Sequence, residues 1–249
     1  MKTSFLSVHR INRGFTMVEI LMAVTILGLA SVGIIAFLQQ GLKLYYADRA
    51  RLMINRDIRS FTAKMDSDAV TANFFILYQD FNTRTAINGG STVDGALADG
   101  QVGDFLVLVY CDPAMTTTGV SMVTDLVGYY REITNATANT GPVRRFAVHL
   151  ATSVDVKSAP MYTILANAVT GSISSYPVVT QLAEGRATIT TLASNGIDEL
   201  TVVTTTPRLF YNRQNRCVMV NAQISESLTE RGATTNVGNT YNFTVSPRG

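Results

Sequence analysis

The sequence predicts an α+β protein in which one long N-terminal helix, membrane-spanning in its first half and amphipathic in its second, packs on a C-terminal antiparallel β-rich domain. Three observations predict it. Ile20 to Leu38 carries no charged side chain and is long enough to cross a hydrocarbon core of roughly 30 Å at about 1.5 Å of helical rise per residue. Ile54, Ile58, Phe61, Met65, Ala69 and Ala72 then recur at steps of three and four, which is one apolar stripe along a helix that ends near residue 72. From Phe105 onward, short runs rich in Val, Ile, Thr and Tyr are punctuated by Gly, Asn and Pro, the pattern of strands and turns.

Composition agrees. Of 249 residues, 47% are hydrophobic and 15% charged, too apolar for a disordered chain. Twenty basic against 18 acidic residues give a net charge of +2, which offers no excess for neutralising phosphates and excludes nucleic acid as an expected direct partner. The basic residues Lys2, Arg10 and Arg13 stand ahead of the apolar run with no acid among them, so the positive-inside rule favours a cytoplasmic N-terminus. The run is span-length, and it continues without Pro into a helix-compatible segment instead of ending at a small-x-small cleavage site. That is the pattern of a retained anchor, not of a secretory signal. No Cys lies in it or just after it, which removes a lipoprotein. Tyr45 and Tyr46 are placed as interfacial anchors. The charged residues Asp48, Arg49, Arg51, Arg56, Asp57, Arg59, Asp66 and Asp68 read as a solvated helix face. The apolar stripe is assigned to packing on the chain's own domain in preference to docking a partner helix.

After the helix, Asn82 to Asp104 is rich in Gly, Asn, Asp and Thr and reads as a loop. Strands are predicted at Phe105–Tyr110, Val127–Thr134, Arg144–Leu150, Ala187–Leu192, Glu199–Thr205, Val218–Ile224 and Tyr241–Val245. In the first, both alternating sets are apolar, so both faces are expected to be buried. In Val218–Ile224 the set Val218, Val220, Ala222 and Ile224 alternates with Met219, Asn221 and Gln223, the pattern of a half-buried strand.

Glu19 is the residue that does not suit a plain anchor. It lies four residues beyond Phe15 in the apolar stretch, where a carboxylate costs on the order of 2.5 to 3.5 kcal/mol. A compensating cation is expected. Cleavage between Gly14 and Phe15 would create one, the α-amine of Phe15, about one helical turn from Glu19, and a neighbouring subunit in a helical stack would present the same group. Such a pair in a low-dielectric setting is strongly orienting, because leaving either partner alone is expensive.

The string Arg13-Gly14-Phe15-Thr16-Met17-Val18-Glu19-Ile20-Leu21 resembles the prepilin processing motif of type IV pilins and type II secretion pseudopilins. The resemblance covers roughly residues 10 to 40. It implies a cytoplasmic leader over residues 1–14, a transmembrane and filament-core helix over 15–38, an amphipathic continuation over 39–80 and a periplasmic β-rich domain over 81–249. It further implies cleavage between Gly14 and Phe15, N-methylation of Phe15, and use of Glu19 in subunit registration. Major pilins often carry Pro at the twenty-second mature position, where this chain has Ala36, a departure that favours a minor component. The stretch Asp57 to Tyr78, the strings VGYYREI and VRRFAVHL and the closing YNFTVSPRG are similar in layout to J-type minor pseudopilins and PilW-type minor pilins.

Enzyme signatures are missing: no Gly-x-Ser-x-Gly elbow, His-Glu-x-x-His helix, Walker A loop or Gly-x-Gly-x-x-Gly turn can be read. The histidines are His9, in the leader, and His149, in a predicted strand, too few for a triad after maturation or for a multi-His metal site. No catalytic residues are assigned. Asp94, Asp99 and Asp104, interspersed with Gly95, Gly100 and Gly103, are candidate oxygen ligands for Ca²⁺, although the same residues furnish ordinary surface turns. Beyond that, no cofactor is expected. Cys111 and Cys217 would both lie outside the cytoplasm, where a disulfide is permitted. A bridge and two buried thiols fit equally well, and either role is structural.

The expected function is therefore assembly. A precursor anchored in the bacterial inner membrane, with its C-terminal domain in the periplasm, would be cut by prepilin peptidase. It would then pass from lipid into a filament beside other pilins or pseudopilins, by way of an inner-membrane assembly platform, as a minor subunit that primes or caps the filament. The alternatives are a tip adhesin or major filament subunit, and a membrane-anchored periplasmic enzyme.

Overall fold

The computed structural model describes residues 15–112, 121–187, 207–230 and 233–247, without the side chains of 226–230 and 233–235. Two compact units divide between Asp48 and Arg49.

One helix, α1 (Met17–Thr71), runs through 55 residues, as a Pro-free sequence dominated by Ala, Leu, Ile and Met allows. It ends where Thr71 turns its hydroxyl back onto the carbonyls of Ser67 and Asp68, at 3.4 and 3.2 Å. The helix thus ends where the apolar stripe predicts, near residue 72, and the close of the segment expected to be helical over 39–80 is instead a strand, β1 (Phe74–Tyr78). The reason is local and tertiary at once. Phe-Phe-Ile-Leu-Tyr favours a pleated surface, and the run pairs antiparallel with β5 (Phe105–Asp112) from Phe74↔Val109 to Tyr78↔Phe105. Asn73 fastens the junction by accepting the Cys111 N–H at 2.7 Å.

The segment expected as a loop from Asn82 to Asp104 contains β2 (Thr85–Asn88), β3 (Ser91–Asp94) and the two-residue β4 (Val102–Gly103). β2 and β3 form a separate hairpin. Its turn needs positive φ at both central positions, and Gly89 and Gly90 supply it with φ of 56° and 84°. The remaining elements are β6 (Met122–Arg131), β7 (Thr140–Asp155), α2 (Met161–Ala168), β8 (Val178–Gly185), β9 (Phe210–Arg213), β10 (Cys217–Glu230) and β11 (Ala233–Val245).

Among the described residues nine strands form one sheet in the order β1-β5-β6-β7-β8-β10-β9-β4, with β11 also on β10. The ladders are antiparallel. β10 organises its end of the sheet: it pairs with β9 along Cys217–Val220, with β8 along Ala222–Ile224, and with β11 from Val218 onward. The predicted strands at 127–134, 144–150 and 241–245 are present with shifted or longer limits. Those at 187–192 and 199–205 lie outside the described residues except Ala187, which bridges Arg208.

The sheet in the second unit is covered on both faces, as an apolar strand such as β5 requires; Phe105 to Val109 are all completely buried. Phe105, Val107 and Val109 join Leu126, Phe146 and the α2 residues Met161, Ile164 and Leu165 in one core cluster. On the opposite face sits the second half of α1. Phe61, itself fully buried, meets the rings of Tyr129, Tyr241 and Phe243 edge-on at 6.0, 6.0 and 5.7 Å. Burying such a side chain is worth roughly 1.5–3 kcal/mol. Ile54, Met65, Ala69 and Ala72 of the predicted stripe are buried with it, and Ile58 is half-buried. The half-buried reading of β10 also holds, since Val218, Val220, Ala222 and Ile224 are the buried set.

One residue of the supposed solvated face is instead an anchor. The Asp68 carboxylate accepts from the Tyr129 hydroxyl and from Arg145 Nε at 2.7 Å, while its carbonyl accepts from the Tyr110 hydroxyl at 2.7 Å. The last turns of α1 are thus tied to β5, β6 and β7. Burial, with the Asp68 carboxylate beside it, raises the Tyr129 hydroxyl above its ordinary range, so this donor stays protonated.

Candidate assembly site at the helix N-terminus

The start of α1 is set by the sequence Thr16-Met17-Val18-Glu19. Thr16 stands just outside the helix and Glu19 in its first turn. The Thr16 N–H and the Thr16 hydroxyl both donate to Glu19 Oε2, each at 2.9 Å, and the Glu19 N–H donates to Thr16 Oγ1 at 3.3 Å. This reciprocal pair is a capping box. It satisfies two of the backbone donors that a helix start leaves unpaired, and it places a negative charge at the positive end of the helix dipole. Thr16 is the site residue that the sequence reading passed over. The signal was present as Thr-x-x-Glu immediately ahead of an apolar run.

Phe15 precedes the cap and is 84% exposed. Gly14 lies outside the described residues. From Phe15 to Tyr46 every residue is exposed, and this surface is almost wholly apolar through Leu38. One window of α1 reaches a mean hydropathy of 2.5 with none of it buried, enough by length and composition to cross a membrane. The two hydroxyls near its middle are neutralised within the helix: Thr25 donates to the Met22 carbonyl and Ser31 to the Leu27 carbonyl, both at 2.8 Å. What remains for a partner is a smooth apolar cylinder with one capped carboxylate at its head.

The other candidates are engaged elsewhere. Asp104 is completely buried and is no open cation ligand. Its oxygens accept from Arg131 Nε and Nη2 at 3.1 and 2.8 Å, from Arg208 Nη1 at 2.9 Å and from the Leu209 N–H at 2.8 Å. Two guanidiniums at one carboxylate repel a further cation. Asp94 accepts the Ala96 N–H at 3.1 Å and the Tyr162 N–H in the first turn of α2 at 3.3 Å, while Asp99 accepts the Gln214 N–H. The three aspartates each hold a separate piece of chain, and among the described residues no group of three His, Cys, Asp or Glu side chains is placed to hold a metal ion.

Cys111 and Cys217 are free thiols. Both are half-buried rather than buried; Cys111 is the penultimate residue of β5 and Cys217 opens β10, with β6, β7 and β8 between them in the sheet, whereas a bridge needs Cα atoms within roughly 4.4–6.8 Å. Burial raises the Cys111 thiol above its ordinary range, which keeps it protonated and unreactive. His149 Nδ1 lies 2.7 Å from Asp125 Oδ1 as an exposed cross-strand pair in register, a surface contact of a strand residue.

Residues 9–35 match the family model of the prokaryotic N-terminal methylation motif. No curated protein and no solved structure matches the chain. The matched segment contains the capped Glu19, Phe15 and most of the exposed apolar cylinder.

Proposed function

From the methylation motif, which supports the type IV pilin and pseudopilin family, we propose that this chain is a minor filament subunit, made as a precursor and cut between Gly14 and Phe15. The motif and the apolar helix support a membrane-anchored, single-pass protein with a structural rather than a catalytic role. In this reading prepilin peptidase removes residues 1–14 and Phe15 is N-methylated. The N-terminus lies on the cytoplasmic side of the bacterial inner membrane and the β-rich domain in the periplasm. The observation that carries the proposal is the exposed apolar surface from Phe15 to Leu38 headed by a single carboxylate. Lipid covers such a surface before assembly, and neighbouring pilin helices cover it afterwards. Glu19 and the Phe15 amine then fix axial register, because a mispaired charge in that dry core is costly.

The subunit primes or caps a pilus or a type II secretion pseudopilus through an inner-membrane assembly platform. Ala36, where major pilins often have Pro, supports the minor role. Counting copies in purified filaments by quantitative mass spectrometry tests it. A few copies per filament, located at one end by a gold-labelled tag, are expected. Labelling along the whole length would make the chain a major subunit instead.

A further inference from the structure

Part of the compensation that Glu19 needs is found inside its own helix, in neutral donors that do not depend on the new amine. Thr16 gives the carboxylate two donors, its N–H and its hydroxyl, and the same hydroxyl accepts the Glu19 N–H. In hydrocarbon, every unsatisfied polar group of a helix end costs several kcal/mol, and here the two unsatisfied sets answer each other.

We propose that Thr16 is a positioning residue for Glu19 in the bilayer: its cap folds the carboxylate onto the first turn of α1 and so aids insertion of the acidic precursor helix. This rests on the membrane-anchored reading of α1. The cap uses only groups present both before and after the cleavage, since the Thr16 N–H belongs to the Phe15–Thr16 peptide. It therefore survives maturation and leaves the carboxylate at the end of the helix where the Phe15 amine is created.

A double-mutant cycle on the full-length precursor tests the proposal. The chain is synthesised in the presence of inner-membrane vesicles that lack prepilin peptidase, and the ratio of alkali-resistant to extractable chain is measured. All forms carry Leu27→Ser and Leu29→Ser, which bring insertion off saturation. With Glu19 present, Thr16→Val is expected to lower the ratio about five-fold, the ratio equivalent to a cap worth ~1 kcal/mol. In a Glu19→Leu background the same change is expected to alter it less than two-fold. Thr16→Ser, which keeps the hydroxyl, restores the wild-type ratio. An equal effect of Thr16→Val in both backgrounds, or no effect with Glu19 present, overturns the proposal.

Glu19→Gln separates this role from registration. It retains an acceptor for the cap but loses the costly charge, so it is expected to insert at least as well as wild type, and a loss of insertion as large as that of Thr16→Val contradicts the cap. Since no peptidase or second subunit takes part, a failure of the filament reading would appear in maturation and assembly while this coupling persisted.

Discussion

Glu19→Ala is expected to leave cleavage after Gly14 intact and to lower incorporation into filaments at least about ten-fold. The argument is one of unequal partners. In the assembled core the Phe15 amine would face a position from which the carboxylate has gone, and an unpaired charge in a water-poor setting costs about 3–5 kcal/mol, more than the ~1.4 kcal/mol that a ten-fold change requires. Ala also removes one half of the capping box, so the comparison with Glu19→Gln matters. Gln keeps the acceptor at the helix start and removes only the charge. If registration is electrostatic, both variants fail to assemble. If the cap alone were needed, Gln would assemble as well as Glu. The measurement is the fraction of mature chain recovered in sheared filaments relative to membranes.

The second large effect is expected far from that site. Asp104 and Arg131 both have completely buried side chains, joined at 2.8 Å, and Arg208 joins the same carboxylate at 2.9 Å with its own side chain 16% exposed. The carboxylate reaches β6 through Arg131 and the start of the 207–213 segment through Arg208 and the Leu209 N–H. The backbone of Asp104 adds bonds to the Gln79 carbonyl at 2.9 Å and to the Arg131 N–H at 3.0 Å. Asp104→Ala would leave a buried guanidinium without its counter-charge, and a loss of about 3–5 kcal/mol of stability is expected. Arg131→Met combined with Asp104→Leu should cost less than Asp104→Ala, because it removes the desolvated charges together. Chemical denaturation of the full chain in detergent, followed by the near-ultraviolet signal of the tyrosines, measures both. A cost below about 1 kcal/mol for Asp104→Ala would show the network to be incidental.

These two sites mark what a reader of the sequence can and cannot find. The N-terminal helix is legible because its information is local. A charge-free run, a carboxylate at fixed spacing and an apolar stripe at steps of three and four lie within one helix. The Thr16 cap was equally local and readable as Thr-x-x-Glu. Weighing Glu19 against a cation alone leaves that cap out. β5 and β10 announced their burial by which alternating positions are apolar. By contrast, Asp104 reads as a turn residue because Gly103 precedes it, and nothing nearby reveals that its partners are 27 and 104 positions away. Asp68 looked solvated for the same reason, its partners Tyr129 and Arg145 lying on strands formed much later in the chain. The eight-residue α2 offers too few turns for a period to stand out, and its helical state follows from covering the sheet with Met161, Ile164 and Leu165. The end of α1 is legible where its stripe stops, near residue 72, whereas β1 is not, because Phe74 to Tyr78 are all apolar and show no alternation that marks a strand.

The most direct test of the account is the N-terminal peptide mass of the membrane-extracted chain, produced with and without a prepilin peptidase and alongside a Gly14→Val control. The expected result is a peptidase-dependent chain beginning at N-methylated Phe15, with Gly14→Val remaining full length. A wild-type chain that begins at Met1 in both preparations would contradict the account, leaving Glu19 as a capped residue of an ordinary membrane anchor.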